Sequence, residues 1–99
     1  MQSDYAEHFI REVGCTQAEW LGWLPGAVRD CPLVLDTSQA TVSLPRGQLR
    51  LGWEVLPPRR IALVQLPRLQ VSFAFEDTTR EGRLAFMRYF DLYMQRGGG

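Results

Sequence analysis

Two stretches of this 99-residue chain alternate apolar and polar residues at every second position, and this alternation constrains the fold more than any other feature. In the stretch 48–56, one face carries Leu49, Leu51, Trp53 and Val55. In the stretch 69–76, one face carries Leu69, Val71, Phe73 and Phe75. A period of two is typical of antiparallel strands with one buried face and one solvated face. The chain therefore predicts an antiparallel sheet with a single core face.

The segment between these two stretches, 60–66, carries apolar residues on both faces and predicts a central strand covered on both sides. Pro57-Pro58 is expected to stop the strand over 48–56, and Pro67-Arg68 to interrupt the strand over 60–66, because proline has no N–H to donate to a neighbouring strand. Shorter strands are predicted at 33–36 and 41–44, with a turn at Pro45-Arg46-Gly47. Short connections between four or five strands favour an antiparallel meander.

Helices are predicted on both sides of the sheet in sequence. Asp4 and the apolar residues that follow predict a helix over 5–13. Thr16 and Glu19 form a capping box that opens a helix ended by Pro25-Gly26, and Thr78 and Glu81 form another that opens a helix reaching 95 or 96. The predicted fold is α+β, with two N-terminal helices, the meander and a long C-terminal helix. It forms a single domain over 1–96, followed by a frayed glycine tail at 97–99.

Composition and charge narrow the function classes. Eleven basic and eleven acidic residues give a net charge of zero, which disfavours a dedicated nucleic-acid or membrane binder. Met1 is followed by polar and acidic residues, which predicts no signal peptide, and the two cysteines are expected to be reduced in the cytoplasm. All eleven basic residues are arginine, which is typical of a GC-rich genome and indicates a bacterial source.

Few residues suggest catalysis. Cys15 precedes a predicted helix N-terminus, where the helix dipole can lower a thiol pKa, and His8 is the only histidine. Both, like Cys31, are more typical of structural positions than of a nucleophile and its base. We therefore predict no catalytic residue, metal site or cofactor, and an enzyme is the less favoured interpretation.

The best-supported functional hypothesis is association with another protein. Ala62, Val64 and Leu66 are predicted to form an apolar strip on a sheet face rimmed by polar groups, and such patches often mark protein contacts. Arg50 and Arg60 are the charged candidates beside it. The sequence thus predicts a small cytoplasmic protein-binding module that either binds an unknown partner or forms a homodimer. The alternatives are a small ligand-binding domain or enzyme, and a weak nucleic-acid-binding module that uses the sheet and turn arginines.

Overall fold

The computed structural model describes residues 4–97 and shows an α+β fold with a five-stranded antiparallel sheet. The strands are β1 (His8–Val13), β2 (Leu33–Leu35), β3 (Gln39–Ser43), β4 (Gln48–Ile61) and β5 (Val64–Glu76), and the helices are α1 (Gln17–Ala27) and α2 (Arg80–Gly97). The sheet order is β1-β5-β4-β3-β2, so β2 to β5 form the predicted meander. Of the predicted glycine tail, Gly97 ends α2, and residues 98–99 lie outside the described range.

Both helices pack on one face of the sheet through aromatic contacts. The Trp20 ring of α1 meets Trp53 of β4 edge-on at 5.8 Å, and the Phe90 ring of α2 meets Phe73 of β5 at 5.7 Å. Phe75, also on β5, is 1% exposed. The alternation seen in the sequence therefore places the core as predicted, with Leu49, Leu51, Trp53, Val71, Phe73 and Phe75 buried. The opposite face of the sheet, called the outer face below, carries Arg50, Gly52, Gln70 and Ser72.

The predicted helix over 5–13 is wrong, because residues 8–13 form β1 at the edge of the sheet, paired with β5. Phe9 and Val13 face inward with Arg11 between them, while Ile10 faces outward and is 65% exposed. Because the charged Arg11 occupies an inward position where an apolar residue is expected, the sequence of β1 does not show the alternation of a strand. An inward charge is one of the devices that protect edge strands from further pairing.

The predicted central strand over 60–66 is also wrong. The chain runs through Pro57 and Pro58 and turns at Ala62-Leu63, so β4 and β5 form one long hairpin. The register slips between Leu56 and Arg59, where a bulge absorbs the two prolines. Proline is tolerated here because β3 pairs with β4 only as far as Gly52. Beyond Gly52, no neighbouring strand among residues 4–97 has carbonyl groups that need an N–H from Pro57 or Pro58.

The observed helix ends agree in part with those predicted from the sequence. Thr16 and Glu19 make the predicted capping box of α1, with both hydrogen bonds formed. That helix continues through Pro25 to Ala27 instead of ending at Pro25. The N-cap of α2 is Thr79, whose Oγ1 accepts from the Gly82 N–H at 3.0 Å. The cap thus lies one residue after the predicted Thr78, and with glycine at N3 it is a single hydrogen bond and not the predicted Thr78–Glu81 capping box. Neither helix is long and apolar enough to cross a membrane within residues 4–97.

Candidate interaction surface

The outer half of the β4–β5 hairpin projects beyond the rest of the sheet. We call residues 56–68 the arm. β1 pairs with β5 only from Leu69 onward, and β3 stops pairing at Gly52 of β4, so neither long edge of the arm has a neighbouring strand among residues 4–97. Six strand residues on the β4 side span about 20 Å at the usual rise. The arm is therefore a two-stranded ribbon, a form that is only marginally stable without further packing.

Exposed apolar side chains concentrate on this arm. Within residues 4–97, nine large hydrophobic residues are exposed, and five of them lie between positions 55 and 66. Four of these five, Ile61, Leu63, Val64 and Leu66, lie on the arm, and Val55 lies directly before it. Leu63, at the tip, is fully exposed. By the strand register, Ile61, Val64 and Leu66 share one face of the ribbon. A cluster of exposed apolar side chains on one face is typical of a surface that another molecule covers.

The tip of the arm is a two-residue turn in an unfavourable backbone conformation. Ala62 has φ +54°, as the primed turns of two-residue hairpins require at their first position. A residue with a Cβ atom pays roughly 1 kcal/mol or more for this left-handed conformation. The turn thus presents Leu63 at the extreme end of the ribbon, and Ile61 and Val64 form the closing pair below it.

The structure brings four of the five predicted site residues together on the arm. Arg60, Val64 and Leu66 lie on its strands, and Ala62 lies in its turn, so they form a tip and not the strip on a central strand that the sequence predicted. Arg50 lies apart, on the outer face of β4 near Glu76, with 3.6 Å between Nη1 and Oε2.

Sequence reasoning missed Val55, Ile61 and Leu63 as surface residues. The alternation correctly places Val55 on the inner face of β4, but α1 and α2 do not extend over this part of the sheet, and Val55 is 62% exposed. The run of apolar residues from Ile61 to Val64 was the sequence feature that could have indicated an exposed apolar tip. It reads as a buried strand when the turn between these residues is not recognised.

Glu12 of β1 anchors the base of the arm. Its carboxylate accepts from Arg68 Nη1 at 2.8 Å and from Arg59 Nη2 at 3.3 Å, and thereby links β1 to both strands of the arm. Arg68 Nε also donates to the Pro57 carbonyl oxygen at 2.9 Å, across the bulge. Two of the three arm arginines are therefore held by a carboxylate, which disfavours the interpretation of the turn arginines as nucleic-acid contacts.

The two residues considered for nucleophilic catalysis lie far apart and face different surroundings. His8 and Cys15 are separated by the length of β1, about 20 Å along an extended strand. Cys15 is 1% exposed, and burial together with the nearby Glu19 raises the pKa of its thiol to about 11. Burial thus outweighs any lowering by the α1 dipole, and this thiol is a poor nucleophile at neutral pH.

Comparison with protein-family models finds no match to this chain, and comparison with curated proteins finds none either.

Proposed function

We propose that this chain is a protein-interaction module that contacts its partner through the arm, and that the partner is a second copy of the chain. The observation that carries the proposal is the concentration of exposed apolar side chains at positions 55–66, more than half of all those exposed within residues 4–97. Covering such side chains removes apolar surface from water, which is the main driving force of protein association.

Contact through side chains fits this arm better than pairing along its edges. Pro57, Pro58 and Pro67 have no N–H, and they interrupt the donors along both free edges. A strand added along Pro57 and Pro58, or along Pro67, would lose the backbone donor that each proline lacks. The apolar side chains at the tip are thus the part of the arm that can bind.

Charge favours contact between the arm of one copy and the body of the other. The arm holds three arginines and no acidic residue, whereas the rest of the chain holds eight arginines and eleven acidic residues. Two arms packed against each other would bring like charges together, which is costly at an interface. An arm-to-body contact repeated about a two-fold axis gives a closed dimer in which both arms are covered.

The test measures oligomeric state against concentration by sedimentation velocity and native mass spectrometry. We expect the chain to dimerise, and we expect Val64→Glu to dissociate the dimer. Loss of a valine that is buried in the dimer costs about 1.5–3 kcal/mol, and each of the two arms loses one. The dissociation constant of the dimer should therefore rise at least a hundredfold. The matched control is Val34→Glu at an exposed position of β2, 68% exposed against 55% for Val64, which should leave the dimer intact.

Two results would overturn the proposal. One is a chain that stays monomeric at every concentration reached. The other is a dimer that tolerates both Val64→Glu and Leu63→Glu as well as it tolerates Val34→Glu. Because Val64 and Leu63 are exposed, these variants should keep the circular dichroism of the parent. They should also keep its unfolding midpoint at concentrations low enough for the parent to be monomeric, and this separates dissociation from loss of folding.

We place this module in the cytoplasm. Both cysteines are free, as is typical of proteins kept in a reducing compartment.

A further inference from the structure

A cleft of about 400 Å³ opens at the end of the molecule away from the arm, between the end of α1, the β3–β4 turn and the first half of α2. Its walls are mainly apolar and include Val28, Cys31, Leu44, Phe86 and Tyr89. The volume falls within the range of clefts that bind small molecules. No carboxylate lines it among the described residues, whereas Arg29 and Arg46 do.

Arg29 is held at this cleft in a conformation that ordinarily selects glycine. It follows Val28, the C-cap residue of α1, with φ +57°, and its N–H donates to the Gly26 carbonyl oxygen at 3.2 Å. Its guanidinium lies over the Tyr89 ring, 4.0 Å from the centroid. Stacking fixes the position of the charge but leaves the in-plane N–H donors available. A strained residue retained by a specific contact points to a functional role for its side chain.

Arg46 enters the cleft from the opposite side. It lies in the β3–β4 turn, which closes through the Leu44 N–H donating to the Gly47 carbonyl oxygen at 3.1 Å. Gly47 has φ +79°, and a Cβ atom there would collide with the Glu76 carbonyl oxygen. Neither Arg29 nor Arg46 pairs with a carboxylate within residues 4–97, in contrast to Arg11, Arg50, Arg59, Arg68 and Arg80.

We propose that this cleft binds a small amphipathic anion, namely an apolar chain or ring that ends in a carboxylate or a similar acidic group. The apolar walls take the body of the ligand, and Arg29 and Arg46 take the anionic group. Thr79 and Gly82, in the first turn of α2, also line the cleft, and the positive end of the helix dipole adds to the attraction. The arm of a second copy fits poorly here, because Arg59 and Arg60 would approach two further arginines.

Cys31 provides a direct readout of occupancy, because it lines the cleft and is partly exposed, whereas Cys15 is buried and serves as an internal control. The experiment follows alkylation of Cys31 by iodoacetamide with intact-protein mass spectrometry. Decanoate, below its micelle concentration, is the anionic probe, and decyltrimethylammonium is the cationic probe with the same chain. We expect decanoate to slow alkylation of Cys31 and the cationic probe to leave the rate unchanged.

Two arginine variants test the role of charge. Arg46→Gln should weaken protection by decanoate about two- to fivefold, the effect of losing one ion pair that is partly exposed to solvent. Arg60→Gln removes an arginine that also lacks a carboxylate partner, but from the arm, and should leave protection unchanged. Val64→Glu should also leave it unchanged, so that failure of the dimer and failure of this site give different results.

Three results would overturn the proposal: no protection by decanoate, equal protection by the cationic probe, or equal effects of Arg46→Gln and Arg60→Gln. The first would mean that the cleft does not bind such ligands, and the others that binding does not depend on its arginines. Ala85→Trp tests whether the slower alkylation of Cys31 arises from decanoate bound in the cleft and not from decanoate bound elsewhere. It places a bulky side chain in the cleft from the exposed face of α2, and should abolish the response to decanoate.

Discussion

Arg11 and Asp91 join the edge strand β1 to helix α2 through two hydrogen bonds. Arg11 Nη1 lies 2.6 Å from Asp91 Oδ1, and Nη2 lies 3.1 Å from Oδ2. The Tyr5 hydroxyl donates to the same carboxylate at 2.6 Å, and the guanidinium lies over the Phe9 and Phe73 rings. This charged pair attaches the edge of the sheet to the helix layer beside the aromatic core.

Asp91→Ala should destabilise the fold by about 1–3 kcal/mol, because it leaves a partly buried guanidinium and the Tyr5 hydroxyl without their acceptor. The two charged side chains are only 30% and 31% exposed, so solvent screens this pair weakly. Urea unfolding measures the change. The control is Arg80→Gln, which removes the exposed ion pair with Asp4 and should cost no more than about 0.5 kcal/mol. Equal effects of the two variants would contradict this account.

Stability should fall as the pH rises from about 9 towards 11. Burial, followed by the charge of Glu19, raises the pKa of the Cys15 thiol from 9.0 to about 11 in the folded chain. The folded state holds this proton more tightly than the unfolded state. The stabilisation is therefore complete below pH 9 and is lost as the pH passes through the folded pKa.

Two pKa units correspond to about 3 kcal/mol at most. Cys15→Ala should flatten the alkaline slope of the free energy of unfolding, measured by urea titration at several pH values. Burial and hydrogen bonding to Asp91 also raise the pKa of Tyr5, so a smaller loss above pH 10 should remain in that variant. An unchanged slope would show that the Cys15 thiol ionises equally easily in both states.

Ala62→Gly should stabilise the chain by about 0.5–1 kcal/mol, because glycine adopts the left-handed conformation of the arm turn without the Cβ penalty. Ala18→Gly makes the same change at an exposed position of α1 and should destabilise by about 1 kcal/mol. Thermal unfolding of both variants checks the opposite signs. Destabilisation by both would mean that Ala62 does not pay the conformational penalty.

Two glycines of α1 should respond oppositely to alanine. At Gly22 an added Cβ meets nothing within 4 Å, so Gly22→Ala should stabilise the helix by about 0.5–1 kcal/mol. At Gly26 the Cβ would collide with the Tyr93 ring of α2, and Gly26→Ala should cost about 1–3 kcal/mol as that ring is displaced. Denaturant unfolding of the two variants gives the comparison. Stabilisation by Gly26→Ala would show that α1 and α2 are not in close contact at this point.

The inner face of the sheet could be predicted from the sequence because burial imposes a period of two, and the core position of Trp53, Phe73 and Phe75 follows from it. Pro57 and Pro58 misled the prediction because the rule that excludes proline from strands holds only where a neighbouring strand needs the N–H. Whether a strand has such a neighbour depends on where β3 stops, which local sequence does not encode. The sequence drew attention to Arg46 as a turn arginine but not to Arg29 or to their shared cleft, since the two residues come to line one cleft only through tertiary packing.

The place of β1 in the sheet has a consequence for how the chain forms on the ribosome. Phe9 pairs with Phe73, so the first strand to emerge cannot be paired until the fifth has been synthesised. The ion pair between Arg11 and Asp91 forms later still, because Asp91 of α2 must first leave the exit tunnel. A meander of β2 to β5 can assemble before that, because each of its strands pairs with the next in sequence. The nascent chain therefore carries β1 unpaired, with Phe9 and Val13 uncovered, until β5 has been made, and such unpaired strands are the kind of segment that chaperones shield.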